Sequence, residues 1–497
     1  MPTSQGLYGS SLGLLTDLYQ LTMSYAHLKN GLQDTEAVFN LFFRKLPFQG
    51  GFAVCCGLED VIQYLERYRF AEDDLAYLST LRGGDGAALF DESFLRWLGD
   101  LKLSVSVDAI PEGTLVFAHE PLIRVQGPIV QCQLLETVLL NLINFQTLIA
   151  TKAARICLAA RGERVMEFGL RRAQGMDGAM SACRAAYVGG CAATSNVLAG
   201  KVFGIPVAGT HAHSWVMCFE TELEAFDAYA RALPNNCIFL VDTYDSLEGV
   251  RHAVQVGRRL SASGHRLAGI RLDSGDLAWL SVEARKILDA SGFQDVSIVG
   301  SNDLDEHLIE SLKGQGAAIA VWGVGTRLVT AYEEPALGGV YKVTALRRPG
   351  EPWQDKLKLS ERSVKTTTPG ILQVRRYRTD DSFIADAIYD TRQKPEGSWT
   401  LVDPNDPTRT KTVAEGTAHV DLLVPVMRGG ERIYQPPALA EIRARTKREL
   451  ECLHPASKRF ANPHEYPVGL ERSLHQRRME LIVKLKKEVA ASREGAR

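Results

Sequence analysis

The sequence predicts an α/β protein organised on a parallel sheet, and three observations point there. Between about residues 160 and 330 short apolar runs recur: "RVMEFGLRR", "IPVAGTHAHS", "NCIFLVDTYD", "RLAGIRLDSGD", "DVSIVGSNDLD" and "AIAVWGVGT". Their starts lie about twenty to forty residues apart, the length of one strand plus one helix. Each run ends in Gly or polar residues and is followed by a helical stretch. Repeated βα units imply parallel strands, and at least six of them suit either a barrel or a doubly wound sheet.

The flanking segments read differently. Residues 1–12, "MPTSQGLYGSSL", are Gly/Ser-rich and expected to fray. Residues 13–130 mix short helices with alternating runs such as "EAVFNLFFRKL". The apolar stretch "LLETVLLNLINFQTLIA" is interrupted by Glu136, Asn141, Asn144 and Gln146, so it predicts a buried helix and not a membrane span. It opens the segment 131–340 that holds the βα units. From about 340 to 430, "RRPGEPWQDK" and "DPNDPTRTKT" are turn-rich connectors around short strands. Residues 431–497 end in the amphipathic "ERSLHQRRMELIVKLKKEV", with Leu474, Leu481 and Leu485 on one side.

Composition narrows the classes of function. The 497 residues are 45% hydrophobic and 23% charged, ordinary soluble material with ample core. Against 59 acidic residues stand 57 basic ones, which leaves no electrostatic case for nucleic acid or an anionic membrane. The Arg and Lys of the last helix then read as a solvated face. Nine cysteines without C-x-x-C pairs, Cys55 and Cys56 adjacent, argue against a disulfide framework. No basic-then-apolar start resembles a signal peptide, so the cytoplasm is expected.

In a parallel barrel the carboxyl ends of the strands share one rim, where functional residues gather. The six runs bring Phe168, Arg171, Thr210, His213, Asp242, Arg271, Asp273, Asp276, Asn302 and Thr326 to such ends. A lone Asp there also begins helices. Two cations, several carboxylates and a histidine together are harder to explain as caps. His211 and His213 in "GTHAHS" would share a strand face. A catalytic zinc needs a third ligand, which no other strand-end histidine supplies. "AVWGVGTRLV" lacks the dinucleotide fingerprint, because Leu328 stands where its last Gly belongs. With "VGSNDLDE", however, it gives two consecutive strand-end loops able to offer N–H groups to a phosphate.

These stretches resemble the nicotinate phosphoribosyltransferases. The resemblance runs in order through "LLTDLYQLTM", "FRKLPFQGGFAV", "LLNLINFQTLIATKAARI", "EFGLRRAQGMDGAM", "ATSNVLAG", "GTHAHS", "RLDSGDL", "GVGTRLVT" and "GGVYKV". It implies the irregular α/β barrel of type II phosphoribosyltransferases, beside a smaller α/β domain built from N-terminal and C-terminal segments. It also implies ATP-dependent transfer of phosphoribosyl from phosphoribosyl pyrophosphate to nicotinate, giving nicotinate mononucleotide for NAD salvage. Mg²⁺ and a homodimer with shared active sites come with it.

Residue roles follow from the same resemblance. His213 matches the histidine phosphorylated by ATP, whereas His211 falls at a variable position. Tyr19 matches an aromatic lid reaching in from the partner subunit, with Phe168 on the opposite face of the pyridine ring. Arg271 matches the arginine credited with the nicotinate carboxylate, and Thr210 a second contact. Gly325 and Thr326 match the phosphoribosyl pyrophosphate site. Arg44, Lys45, Arg171 and Asn302 are candidate phosphate or pyrophosphate contacts. Asp242 and Asp273 would hold Mg²⁺ or face the ribose as positive charge develops. Nicotinamide-selective relatives carry an aspartate where this chain has Asn196, so the acid is favoured here. Quinolinate enzymes share the fold but are shorter and lack the ATP-linked histidine motif. The rival readings are a nicotinamide phosphoribosyltransferase, a non-catalytic nucleotide-binding protein of the same fold and, more distantly, a metal-dependent barrel hydrolase.

Overall fold

The computed structural model describes residues 11–359, 366–393 and 395–494. Most of the stretch expected to fray, 1–12, lies outside the described residues. The chain divides into two compact units. The first comprises Met1–Thr147, Ala336–Ala438 and Arg448–Arg497, and the second Leu148–Pro335 with Leu439–Lys447.

The first unit begins with the helix Leu18–Lys29 and five strands: β1 (Glu36–Phe43), β2 (Ala53–Val54), β3 (Ser106–Ala109), β4 (Leu115–Val116) and β5 (Ile123–Pro128). The β1 sequence "EAVFNLFF" is apolar on both faces, and six of its eight residues are buried. It pairs antiparallel with β5 on one side, Phe39 opposite Val125. The expected buried helix is Glu136–Ala159, which carries the chain into the second unit. The helical stretch Ile129–Ala159 is long and apolar enough to cross a membrane, yet most of it is packed inside protein.

In the second unit six short strands form one sheet: β6 (Arg164–Glu167), β7 (Ala193–Thr194), β8 (Ile238–Leu240), β9 (Gly269–Leu272), β10 (Ser297–Ser301) and β11 (Val321–Val324). Their order is β7-β6-β11-β10-β9-β8, and every pair is parallel. Burial on both faces explains why the runs read as unbroken Val, Ile and Leu. Three crossover helices start on an aspartate that accepts a backbone N–H. Asp245 caps Ser246–Ala262, Asp276 caps Leu277–Ala290 and Asp305 caps Glu306–Gly314. Asp276, gathered above with the functional residues, is thus engaged as a cap.

Two expectations are corrected here. "IPVAGTHAHS" was expected to be a strand, but it makes only a single parallel bridge, Val207 to Thr194. Pro206 offers its carbonyl to the Thr194 N–H, at 3.0 Å, and has no N–H to continue a ladder. Ala193–Thr194 takes the strand position instead. Nor is the sheet closed: among the described residues no ladder joins β7 to β8. Beside β8, the side chain His211 Nε2 accepts from the Leu240 N–H at 3.2 Å.

The return segments complete the first unit. Strands β12 (Gly339–Arg347), β13 (Gln354–Asp355), β19 (Val424–Arg428) and β20 (Glu431–Arg432) join β1, β3 and β5 in a seven-stranded antiparallel sheet. A second, six-stranded sheet contains β14 (Leu372–Arg378), β15 (Phe383–Asp390), β16 (Trp399–Val402), β17 (Thr410–Val413), β18 (His419–Asp421) and β21 (Val468–Glu471). Tyr377, Tyr389 and Trp399 form its aromatic core. The helix Arg472–Glu494 follows, with Leu474 buried as its amphipathic pattern requires.

Candidate active site

The carboxyl ends of β6, β8 and β9, with the loop "GTHAHS", bring six of the candidate residues together: Phe168, Thr210, His213, Asp242, Arg271 and Asp273. Arg271 belongs to β9, and its guanidinium engages three neighbours. Nε donates to Ser301 Oγ at 2.8 Å, Nη1 to Thr210 Oγ1 at 3.2 Å and Nη2 to Asp273 Oδ1 at 2.6 Å. Ser301 also donates to Asp273 Oδ1, so the acceptor is shared. The Arg271 Cζ stands 5.8 Å from the centre of the Phe168 ring, within cation–π range.

Phe168 follows β6 and is held from both sides. Its N–H donates to the Val324 carbonyl at 2.7 Å. Across the sheet a Cβ on Gly323 would lie 2.8 Å from the ring, so only glycine leaves the ring its place. Its neighbour Glu167 is buried, accepting from the Gly169 N–H, from Thr194 Oγ1 at 2.5 Å and from Cys183 Sγ at 3.0 Å. Burial first, then the adjacent Glu167, pushes the Cys183 thiol up to about 12. Cys183 is therefore a hydrogen-bond donor here and not a nucleophile.

His213 opens the short helix His213–Val216, not a strand. Nδ1 meets the Thr243 hydroxyl at 3.1 Å, and Nε2 lies 4.0 Å from Asp242 Oδ1. The Asp242 carboxylate is almost wholly enclosed, 1% exposed. Its Oδ2 accepts from the Asp273 N–H at 2.9 Å and Ser274 Oγ at 2.6 Å, but Oδ1 has no hydrogen-bond partner among the described residues. His211 behaves differently. It packs among Phe226, Tyr229 and Phe239, and burial lowers its pKa. The two imidazoles do not form the same-face pair that a metal site would use, because "GTHAHS" is not extended strand.

Other candidates lie on neighbouring loops of this unit. Asn302 and Asp303 have left-handed backbones, φ 99° and 38°, which side chains other than glycine rarely adopt. Gly325 precedes the helical turn Thr326–Val329. Arg171 is exposed on the 3₁₀ turn Leu170–Arg172. Asn196 is buried, and its Oδ1 caps Val197–Phe203 by accepting from the Ala199 N–H at 3.2 Å. Its Nδ2 faces Met180 Sδ and Cys183 Sγ, at 3.6 and 3.5 Å.

Tyr19, Arg44 and Lys45 belong to the first unit. Tyr19 is 48% exposed on the helix Leu18–Lys29. Arg44 lies over the Phe42 ring at 5.7 Å, and Lys45 is exposed. Sequence reasoning overlooked Thr243, Ser274 and Ser301. Their only signal is position: each hydroxyl sits at a strand end beside or near a predicted acidic residue.

Among the described residues no group of three His, Cys, Asp or Glu side chains is arranged to hold a metal. A Mg²⁺ held largely by substrate phosphates and water needs only one or two carboxylates. The partnerless Asp242 Oδ1 fits that requirement. Asp273 Oδ1, taken by Arg271 and Ser301, fits it less well.

A parallel sheet that delivers a guanidinium, carboxylates and an imidazole to one edge defines an α/β enzyme with a small-molecule site. Comparison with known proteins makes the class specific. Profiles for the nicotinate phosphoribosyltransferase (NAPRTase) N-terminal domain, the NAPRTase family and the C-terminal domain match residues 14–144, 164–369 and 373–478. Nicotinate phosphoribosyltransferase of Bacillus subtilis is 43% identical, covering 97% of this chain and 98% of its own. That of Dictyostelium discoideum is 37% identical over 94% of this chain and 88% of its own. The crystal structure of human nicotinic acid phosphoribosyltransferase superimposes with a TM-score of 0.81 at 33% identity, covering 94% of this chain and 99% of that one. The chain belongs to the nicotinate phosphoribosyltransferase family.

Proposed function

We propose that the protein transfers phosphoribosyl from phosphoribosyl pyrophosphate to nicotinate, for NAD salvage, and couples the transfer to ATP hydrolysis through phospho-His213. Nicotinate, phosphoribosyl pyrophosphate, ATP and water would give nicotinate mononucleotide, pyrophosphate, ADP and phosphate. The observation that carries this reading is the placement of Arg271 beside Phe168 and Thr210. A pyridine ring lying on Phe168 would present its carboxylate to the guanidinium, whose two parallel N–H groups match it. Asn196 supports the acid over the amide. An aspartate there would add negative charge close to Cys183 and buried Glu167, at the same end of the sheet.

The histidine chemistry follows from its neighbours. Asp242 Oδ1 beside Nε2 favours the tautomer with its proton on Nε2, leaving the Nδ1 lone pair to accept from Thr243. Nδ1 would then displace ADP from the γ-phosphorus of ATP: the Nδ1–P bond forms, and the P–O bond to ADP breaks. The enclosed Asp242 carboxylate stabilises the ring's positive charge. Hydrolysis of the phospho-imidazole returns His213 and phosphate. Asp242 and Asp273 also offer negative charge where the ribose becomes cationic, before the ring nitrogen bonds to it. Mg²⁺, when bound, would neutralise the phosphates of the substrates, with Asp242 as its protein ligand. Gly325, Thr326, Asn302, Arg171, Arg44 and Lys45 remain the proposed phosphate contacts.

We read the sheet as the wall of an irregular barrel, supported by the Val207 bridge and by His211 reaching β8. A homodimer is supported by exposed apolar side chains on this unit, among them Val197, Val202, Met217, Tyr244 and Trp279. In that assembly Tyr19 of a second copy would cover the base.

The test offers nicotinate and nicotinamide together, with Mg²⁺ and phosphoribosyl pyrophosphate, with and without ATP, and detects mononucleotide by mass spectrometry. Nicotinate mononucleotide that rises with ATP is expected. His213→Ala should keep some ATP-independent transfer and lose the stimulation. Stimulation that survives the substitution would remove His213 from the mechanism.

A further inference from the structure

The first unit holds a cavity of about 460 Å³, the size of a small-molecule site. Its walls come from distant segments: the turn Leu46–Gly51, the loop Phe117–His119, the β16–β17 hairpin and residues 463–469. Phe48, Gln49, His119 and Asn462, four of the eight described non-glycine residues with left-handed backbones, lie within or next to these walls. These left-handed positions shape the turns from which the walls are built, and one of them, His119, lines the cavity itself.

Its charges are unevenly satisfied. Asp403 accepts from the N–H groups of Asn405 and Asp406, at 2.8 and 3.2 Å. Asp406 accepts from Thr408, and Arg409 is paired with Glu465 at 2.6 Å. Two cations lack such a partner. The Lys411 ammonium donates to the Ile384 carbonyl at 2.7 Å and meets no carboxylate among the described residues. Arg478 lines a small adjoining cavity that shares His119, Pro404 and Asn405 with the larger one. It is 7% exposed, and among the described residues its guanidinium donates only to the carbonyls of Thr366, Thr367 and Pro404, at 3.2–3.3 Å. Burial lowers the pKa of both groups, as expected for cations without an anion. A buried positive charge without a counter-ion is unfavourable unless something else supplies one.

Between the cavities stands His119, whose Nε2 meets Asn405 Nδ2 at 3.3 Å. An amide nitrogen only donates, so Nε2 accepts and Nδ1 carries the proton. One wall is rigid and aromatic. Tyr466 stacks on Phe117 at 4.1 Å, and its hydroxyl is tied to Asp386 at 2.8 Å.

We propose that this cavity binds a small molecule bearing a phosphate-type anion, with Lys411 as its charge partner, the positive potential of Arg478 in the adjoining cavity reinforcing it, and the Tyr466 ring beside its remainder. Free phosphate and the phosphate of a mononucleotide share this chemistry. Hydrogen–deuterium exchange of the full-length protein, with inorganic phosphate, AMP or adenosine added, separates them. Phosphate and AMP should slow exchange in peptides covering 403–411 and 463–469, and adenosine should not. Slowing by AMP alone would identify a nucleotide as the source. Lys411→Gln should raise the half-saturating concentration at these peptides at least about tenfold, while exchange in the second unit stays as in wild type. Lys411→Arg, which keeps the charge, should retain the protection and controls for a folding defect. No protection by either phosphate, equal protection by adenosine, or protection unchanged in Lys411→Gln would overturn the proposal.

Discussion

Arg271 shows why the chemistry of the proposed base site depends on one side-chain shape. Three of its five N–H bonds already have partners, one on each nitrogen: Ser301, Thr210 and Asp273. A substrate carboxylate therefore takes the N–H bonds left over on Nη1 and Nη2, and it can take both only from a planar group with parallel N–H bonds. Lysine would keep the charge and lose that geometry. Arg271→Lys should weaken nicotinate about ten- to a hundredfold, as expected for a charge-assisted bond, and phosphoribosyl pyrophosphate far less. Separate KM determinations for the two substrates check this, and equal losses would mean that the carboxylate contact is elsewhere. Legibility at this scale followed chemical rarity. A histidine, an arginine and aspartates at strand ends stood out in the sequence, whereas Ser301 and Thr243 did not. Hydroxyl residues are ordinary in turns and helix starts, and only the fold shows which of them point at Arg271 and His213.

At the scale of elements, the strands that lie wholly inside apolar runs were legible, and the marginal ones were not. "RLAGIRLDSGD" contains β9 because an apolar run bounded by turn residues has no better conformation in a sheet buried on both faces. "IPVAGTHAHS" looks as strand-like, yet Pro206 limits it to one bridge, a constraint its hydrophobicity hides. Two features of these elements carry predictions. Gly323 in β11 has no Cβ to press on the Phe168 ring, which lies 2.8 Å from where a methyl would sit. Its φ is not in the left-handed region, so Gly323→Ala should fold and displace the ring. Nicotinate KM should rise about fivefold, the effect of losing an aromatic contact worth about 1 kcal/mol, while a normal thermal midpoint shows the fold intact. Asn196 is the second. Its Oδ1 caps Val197–Phe203, so Asn196→Ala should destabilise the unit by about 1 kcal/mol. Asn196→Ser keeps a neutral acceptor at the cap and should recover most of that loss in urea unfolding. Equal destabilisation by both would mean that the Nδ2 contacts with sulfur, and not the cap, hold the residue.

For the whole molecule, the two-unit division explains what was hardest to read from the sequence. A unit assembled from Met1–Thr147, Ala336–Ala438 and Arg448–Arg497 pairs strands hundreds of residues apart, β1 with β12 for example, and no local pattern announces that pairing. The pH dependence of stability comes from the same long-range packing. His119 is brought among groups distant in sequence, and its pKa falls to about 4, first through burial and then through repulsion by Arg478 and Arg44. The sign follows from linkage. Above pH ~6.5 the imidazole is neutral in both folded and unfolded chains and contributes nothing to the pH dependence. Between there and pH 4 the unfolded chain binds a proton that the folded protein refuses, so stability falls as pH drops through this window. A depression of this size corresponds to at most about 3 kcal/mol, and partial exposure brings the expected loss nearer to about 2 kcal/mol. Other groups titrate in the same range, Glu120 with the opposite sign because burial holds its pKa up. The informative quantity is therefore the difference between wild type and His119→Gln. Thermal midpoints recorded from pH 7 to 4.5 in phosphate-free buffer should converge towards acid, the glutamine variant losing less than wild type. Parallel curves would show that His119 takes up its proton as easily in the folded protein as in the unfolded chain.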